Sequence, residues 1–145
     1  MTISRQEILE TSTVTTASEL VSLWTALLSN EGFGRRTLWL VLLDDRGKPA
    51  PAVVPIDDIP EAPTPAEVDS FVQFLDHLEG YGTPVLLLSR PGPGTVQEHD
   101  RQWASALSPS APRWPFHLAT ENAFGHRVVV PLLARADRTE PGSAV

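Results

Sequence analysis

The sequence predicts a three-layer α/β/α sandwich with a mixed sheet, in the element order α-β-β-α-β-α-β-β. Two apolar runs, "LWLVLL" and "PVLLLS", have no polar face, which is typical of strands covered by helices on both sides. Helical patterns that begin with capping signals alternate with these strands. Two further strands around a glycine-containing turn end the pattern, and this order of elements favours a layered α/β domain.

The length of 145 residues suits one domain. We expect a flexible N-terminal lead over residues 1–15, a single α/β domain over 16–133 and a disordered polar tail over 134–145. The chain contains no cysteine, which excludes disulfides, a thiol nucleophile and any metal site built on thiolates.

The formal net charge of −7 opposes binding to phosphate backbones, so we expect no nucleic-acid partner. The N-terminal residues lack the basic start and apolar core of a signal peptide. No apolar run approaches the ~20 residues of a membrane span. We therefore expect a cytoplasmic protein that does not bind membranes. Lys48 is the single lysine among 11 cationic residues, and this usage favours a bacterial origin.

The first two helices are predicted by stripes of apolar residues at helical spacing and by capping signals at the helix ends. Thr16 and Glu19 form a capping box before the first stripe. Thr64 and Pro65 begin the second, which Gly80 ends. Apolar residues at helical spacing mark the core faces of both helices: Leu20, Leu23, Trp24, Leu27 and Leu28 in the first, and Val68, Phe71, Val72, Leu75 and Leu78 in the second.

The strands differ in character. Leu38–Leu43 is predicted to be a buried strand, and 52–56 an antiparallel strand that its prolines confine to a sheet edge. The run "TPVLLLS", residues 83–89, is predicted to be a second buried strand. Phe116–Thr120 and His126–Leu132 form the final pair, joined by a turn.

The stretch "VLLLSRPGPGTVQEHDRQWASAL" predicts a strand, a tight loop and a helix over 95–107 that Thr95 and Glu98 cap. The loop matches no phosphate-binding pattern, and its prolines lack the N–H groups that such a loop needs. Asp100 falls on the apolar side of the helix, where a carboxylate needs a partner. It is predicted either to bind a ligand or metal, or to pair with the loop or with Arg90.

This order of elements, with this loop, resembles the JAB/MPN metalloprotease fold, a cytidine-deaminase-like architecture, in its bacterial RadC-like form. In that family a strand ends in H-x-H-P-S-G and the next helix carries S/T-x-x-D. The two histidines and the aspartate bind zinc, and a glutamate at the start of an earlier strand is the acid/base.

On this chain the resemblance places Asp100 at the aspartate and Gly92 at the loop glycine. Leu87 and Ser89 stand at the two histidine positions, and Gln97 stands at the loop serine. Arg36 stands where the family has its glutamate. The resemblance therefore implies a degenerate member that lacks the metal ligands and the catalytic glutamate and binds no cofactor or metal, and it favours a protein that is not an enzyme.

Other histidines provide weaker candidates. His99, His117 and His126 could combine with Asp100, but they lack the spacing of a known metal motif. His77 lies off the apolar stripe of its helix and is predicted to be a surface residue.

We predict a non-catalytic JAB-like domain that acts through protein–protein contacts, with a protein partner or with itself. The alternative is a small anionic-ligand binder, or a metal-independent enzyme, that uses a cleft formed by Ser89, Arg90 and Asp100. A third possibility is an interaction module that uses the proline-rich segment 49–65 as a recognition strip.

Overall fold

A computed structural model describes residues 4–29 and 31–132 of the chain. The prediction of a mixed α/β domain with a mixed sheet is confirmed. The elements in chain order are α1 (Arg5–Thr11), α2 (Ala17–Leu27), β1 (Thr37–Leu43), β2 (Pro49–Asp57), α3 (Pro65–Leu78), β3 (Thr83–Ser89), α4 (Glu98–Leu107), β4 (Phe116–Glu121) and β5 (Arg127–Leu132). Short 3₁₀ turns follow α3 and α4.

The five strands form one sheet in the order β2-β1-β3-β4-β5. Strand β1 pairs antiparallel with both β2 and β3, and β4 pairs antiparallel with β5. Only β3 and β4 are parallel, as a crossover through α4 allows. The carboxyl ends of β3 and β4 therefore lie side by side.

Helices cover both faces of this sheet because its central strands are apolar on both sides. Trp39 and Leu87 point to one face, where they pack with α1 and α2 in one core cluster. Leu38 and Leu88 point to the other face and pack with α3 and α4. The alternation follows from the two-residue period of a strand.

The prediction of a flexible lead over residues 1–15 is wrong for the part that the structure describes. Residues Arg5–Thr11 form a helix whose N-cap, Ser4, makes a full capping box with Glu7. Leu9 and Val14 are buried in the cluster that also contains Trp39. Most side chains of this helix are polar and only a few positions are buried, so its sequence shows no apolar stripe.

The predicted start of the helix over 95–107 is also wrong. Helix α4 begins at Glu98, with Gln97 as its N-cap and Asp100 as the capping-box partner. Thr95 stays in the loop because its carbonyl is bound by Arg90. The predicted tail over 134–145 lies outside the described residues.

Strand β2 is an antiparallel edge strand, as its prolines predict. It extends over Pro49–Asp57, further in both directions than the predicted 52–56. Helix α1 packs against this strand. Within residues 4–29 and 31–132, no helix has the length and apolar character needed to cross a membrane.

Replacing Leu9 by alanine tests whether α1 is part of the core. We expect Leu9→Ala to lower the free energy of unfolding by about 2–4 kcal/mol, because a buried leucine leaves a cavity. Urea denaturation of the full chain measures the change. Gln6→Ala, on the exposed side of the same helix, is the control and should shift stability by less than about 0.5 kcal/mol. Equal effects of the two substitutions would contradict a docked helix.

Candidate functional site

The candidate site lies where the loop after β3 crosses the carboxyl ends of β3 and β4. The backbone N–H of Arg90 donates to the carbonyl of Ala119 at 3.3 Å, which continues the parallel ladder by one residue. Gly94 lies so close to β4 that a Cβ there would be 3.1 Å from Thr120 Oγ1. The loop is thus held against the sheet before α4 begins.

Arg90 is the centre of this loop, with 1% of its side chain exposed. Its Nε and Nη2 donate to the two carboxylate oxygens of Asp100, each at 2.8 Å, in a bidentate ion pair. Its Nη1 donates to the carbonyls of Pro91 and Pro93 at 3.0 and 2.8 Å. Its Nη2 also donates to the carbonyl of Thr95 at 3.1 Å. These bonds use all five N–H donors of a guanidinium.

The composition of the loop explains why an arginine occupies this place. Pro91 and Pro93 contribute carbonyl groups but no N–H groups, so the loop contains more acceptors than donors. Arginine has donors only, in a rigid planar fork. The Arg90 side chain therefore supplies the hydrogen bonds that the loop backbone cannot make with itself, and Gly92 provides the turn with a φ of +97°.

Asp100 is fully buried, with 0% of its side chain exposed. Its Oδ2 accepts a bond from the backbone N–H of Gln97 at 2.8 Å, which caps α4. Its Oδ1 lies 3.7 Å from Nη1 of Arg36. The carboxylate is thus surrounded by two guanidinium groups and a helix N-terminus, all of which stabilise its negative charge.

Arg36 makes fewer hydrogen bonds through its guanidinium than Arg90 does. Its Nη1 is buried and has no hydrogen-bond partner, and its Nη2 lies 4.0 Å from Glu61 Oε2. His99 Nδ1 lies 3.6 Å from the same Glu61 oxygen. Arg36 is thereby held at the entrance to β1 by charge rather than by good hydrogen bonds.

Of the three predicted site residues, the structure brings Arg90 and Asp100 together, whereas Ser89 faces away from them. Ser89 Oγ accepts a buried hydrogen bond from Trp39 Nε1 at 2.8 Å, on the side of α1 and α2. Asp100 lies on the side of α4. The expected cleft lined by all three residues is therefore not formed, because successive residues of β3 point to opposite faces.

The faces to which these side chains point also decide whether the site can bind a zinc ion as the metalloprotease family does. Leu87 points to the face that Ser89 shares, so neither predicted ligand position shares a face with Asp100. The groups that do surround Asp100 are the cations of Arg36 and Arg90, which cannot ligate a metal ion and would repel it. The residues present do not fit zinc.

The remaining histidines lie apart from this site. His117 is buried in β4, one residue from the core residues Phe116 and Leu118, and its Nδ1 has no hydrogen-bond partner. His77 is exposed, as predicted, and so is His126 at the β4–β5 turn. In the part of the chain that the structure describes, no three His, Asp or Glu side chains are grouped closely enough to hold a metal ion.

A cavity of about 560 Å³ lies at the opposite end of β3, away from the Arg90 loop. Its lining includes the exposed ring of Tyr81 and the carboxylates of Asp44, Asp45, Asp76 and Glu79. Arg113 is a cation in the same lining, and among the described residues of this lining no buried side-chain nitrogen or oxygen lacks a hydrogen-bond partner.

The sequence predicts the Arg90–Asp100 contact as one of two interpretations of a buried carboxylate, but it does not indicate two further contacts. Trp39 lies in an apolar run that predicts only a buried strand, yet its indole N–H donates to Ser89. Arg36 stands where the family has its glutamate, and nothing in that placement predicts that it lies beside Asp100. An arginine immediately before a predicted strand, in a chain with a buried aspartate, is the signal that could have indicated this contact.

Comparison with known proteins found no match: no protein-family model, no curated protein and no solved structure is significantly similar to the chain.

Replacing Arg90 by lysine tests the role of the guanidinium. We expect Arg90→Lys to lower the free energy of unfolding by about 2–4 kcal/mol, because an ammonium group cannot reproduce the bidentate pair and the three carbonyl contacts. Urea denaturation measures the loss. The control is Arg101→Lys on the surface of α4, which should change stability by less than about 0.5 kcal/mol. A loss for Arg90→Lys as small as the control's would show that charge alone suffices.

His117 predicts a dependence of stability on pH. Burial lowers the pKa of His117 below its usual 6.5, and the Pro115 carbonyl opposes this in part. Below pH 6.5 the unfolded chain therefore binds a proton that the native histidine does not, so stability falls as the pH decreases from 6.5 toward the lowered native pKa. Denaturation midpoints of the native chain should decrease over that interval. His117→Gln should flatten this part of the profile, and an unchanged slope would assign the effect to other groups.

Proposed function

We propose that this chain is a non-catalytic domain of JAB-like architecture that acts through protein–protein contacts. The observation that carries the proposal is the buried ion pair between Arg90 and Asp100. In a JAB-type hydrolase the aspartate of the helix holds zinc beside an acid/base glutamate. Here a guanidinium of the same chain occupies the place next to that carboxylate, with all of its donors bound.

The positions of Arg36 and Asp100 support the JAB-like architecture. The resemblance places Arg36 at the family's glutamate and Asp100 at its aspartate, and these two side chains lie 3.7 Å apart. Leu87 and Ser89, which the resemblance places at the two histidines, point to the opposite face of the sheet from Asp100 and provide no metal ligand there.

The charges around Asp100 explain how the chain keeps its fold in the proposed absence of zinc chemistry. A carboxylate at this depth is unfavourable unless a cation and hydrogen bonds compensate it. Zinc would supply that compensation in a hydrolase, whereas Arg90 and Arg36 supply it here. A site whose cation belongs to the polypeptide keeps the helix and loop in place without a reactive centre.

Surface residues favour contacts with proteins. Tyr81 and Phe124 expose 75% and 83% of their surface, and they lie at opposite ends of the sheet. Aromatic side chains of this size are enriched where proteins bind one another. The two rings therefore mark positions that a partner could cover.

The alternative, an anion-binding cleft at Ser89, Arg90 and Asp100, stays a prediction. An anion would have to displace Asp100 or a loop carbonyl to reach the donors of Arg90. Thermal stabilisation by phosphate or by a small dicarboxylate, lost in Arg90→Lys, would favour this alternative.

The proposed function is tested by metal content. The full chain, purified without a histidine tag, is incubated with excess zinc, passed through a desalting column and measured by elemental mass spectrometry. We expect less than about 0.1 zinc per chain, because two guanidinium groups flank the only buried carboxylate of the site. The variant Asp100→Asn should give the same value. One zinc per native chain, lost in Asp100→Asn, would overturn the proposal.

A further inference from the structure

The two edges of the sheet are protected differently. Strand β2 forms one edge, where Pro49, Pro51 and Pro55 interrupt the row of N–H groups and α1 packs against the strand. Strand β5 forms the other edge, and its one described strand neighbour is β4. It contains a single proline, Pro131, near its end.

The hydrogen bonds of the β4–β5 hairpin show which groups of β5 point outward. The N–H of Asn122 donates to the carbonyl of His126 at 2.9 Å, so this pair is of the hydrogen-bonded type. Because such pairs alternate along an antiparallel ladder, Val128 and Val130 also face β4. The backbone groups of Arg127, Val129 and Pro131 then point away from β4. Because Pro131 has no N–H group, its place at an outward-pointing position removes no hydrogen bond to β4.

Apolar side chains reach this edge on both faces of the sheet. Val129 is half-buried against the cluster of α1 and α2, and Val130 against the cluster of α3 and α4. No charged residue lies between Arg127 and Leu132. The guanidinium of Arg127 is already bound to Glu121 at 2.9 Å and to the Gly125 carbonyl at 3.1 Å. The part of β5 that follows Arg127 therefore lacks the charges that usually prevent strand pairing.

We propose that β5 pairs antiparallel with β5 of a second copy of this chain, across a two-fold axis at Val129. This inference rests on the proposed function and names the partner. The N–H and C=O groups of the two Val129 residues bond to each other, and the N–H of each Arg127 donates to the carbonyl of the partner's Pro131. Pro131 has no N–H to donate in return, so the Arg127 carbonyl takes no bond from the second copy in this register.

The same register matches the side chains. The axis is perpendicular to the sheet, so each face of one copy continues into the same face of the other. Val129 meets its own copy on the side of α1 and α2, and Val128 meets the partner's Val130 on the opposite side. Both core clusters then extend across the dimer, and no two like charges lie opposite each other in the paired strands.

Amide hydrogen exchange at increasing protein concentration is the first test. The amides of Val128 and Val130 donate toward β4 and should be protected at every concentration. The amides of Arg127 and Val129 should exchange quickly in dilute protein and become protected as the concentration rises. Concentration-independent exchange of Arg127 and Val129 would overturn the proposal.

A substitution at the axis is the second test, with mass measured by analytical ultracentrifugation. Val129→Pro removes an N–H that points away from β4, so the variant should fold and sediment as a monomer where the native chain is a dimer. Val129→Thr keeps the N–H and the shape and should remain dimeric. A native chain that is monomeric throughout, or a dimeric Val129→Pro, would overturn the proposal. If Val129→Pro does not fold, the exchange experiment decides.

The experiments distinguish a failure of the proposed dimer from a failure of the proposed non-catalytic function. A monomeric native chain that takes up no zinc overturns the dimer and leaves the non-catalytic function standing. A native chain that binds one zinc overturns the proposed function, whatever its mass. Protection of Val129 only when another protein is added would show that the edge takes a strand of a different partner, and this would overturn the second copy as its occupant.

Discussion

The buried pair of Arg90 and Asp100 is the interaction on which the rest of this end of the molecule depends. Asp100 caps α4 through the N–H of Gln97, and Arg90 binds three carbonyls of a loop that cannot satisfy them itself. Together they join the end of β3 to the start of α4. Because a single buried charge is far more unfavourable than a pair, neither residue is replaceable alone.

The pair also shows which groups compensate the charge of the buried Asp100 carboxylate. A carboxylate one turn into a helix, beside the ends of two parallel strands, is well placed to hold a cation. In this chain the cation is covalently part of the protein, and a second one, Arg36, lies on the other side of the carboxylate. The charge of the buried carboxylate is thus compensated within the chain, and the proposed non-catalytic function rests on this compensation.

Much of the fold was predictable because its signals are local. Capping boxes at Thr16 and an N-cap at Thr64 mark two helices, and the apolar runs at β1 and β3 mark strands covered on both sides. Helix α1 was not predictable, since it packs on the core through Leu9 and the half-buried Ile8 and not through an apolar stripe. The start of α4 was misplaced because Thr95 and Glu98 fit the capping-box pattern, whereas Gln97 and Asp100 form the box in the structure and the Thr95 carbonyl accepts a bond from Arg90.

By itself, the sequence determined the alternation of helices and strands, the absence of thiol chemistry and the need of Asp100 for a partner, because these follow from composition and from short-range spacing. Only the tertiary structure decided which partner Asp100 has, that Ser89 faces Trp39 instead, and that Arg36 reaches the same carboxylate. The reason is geometric. Side chains one residue apart on a strand lie on opposite faces, and residues about 60 positions apart in the chain become neighbours only when the sheet is assembled.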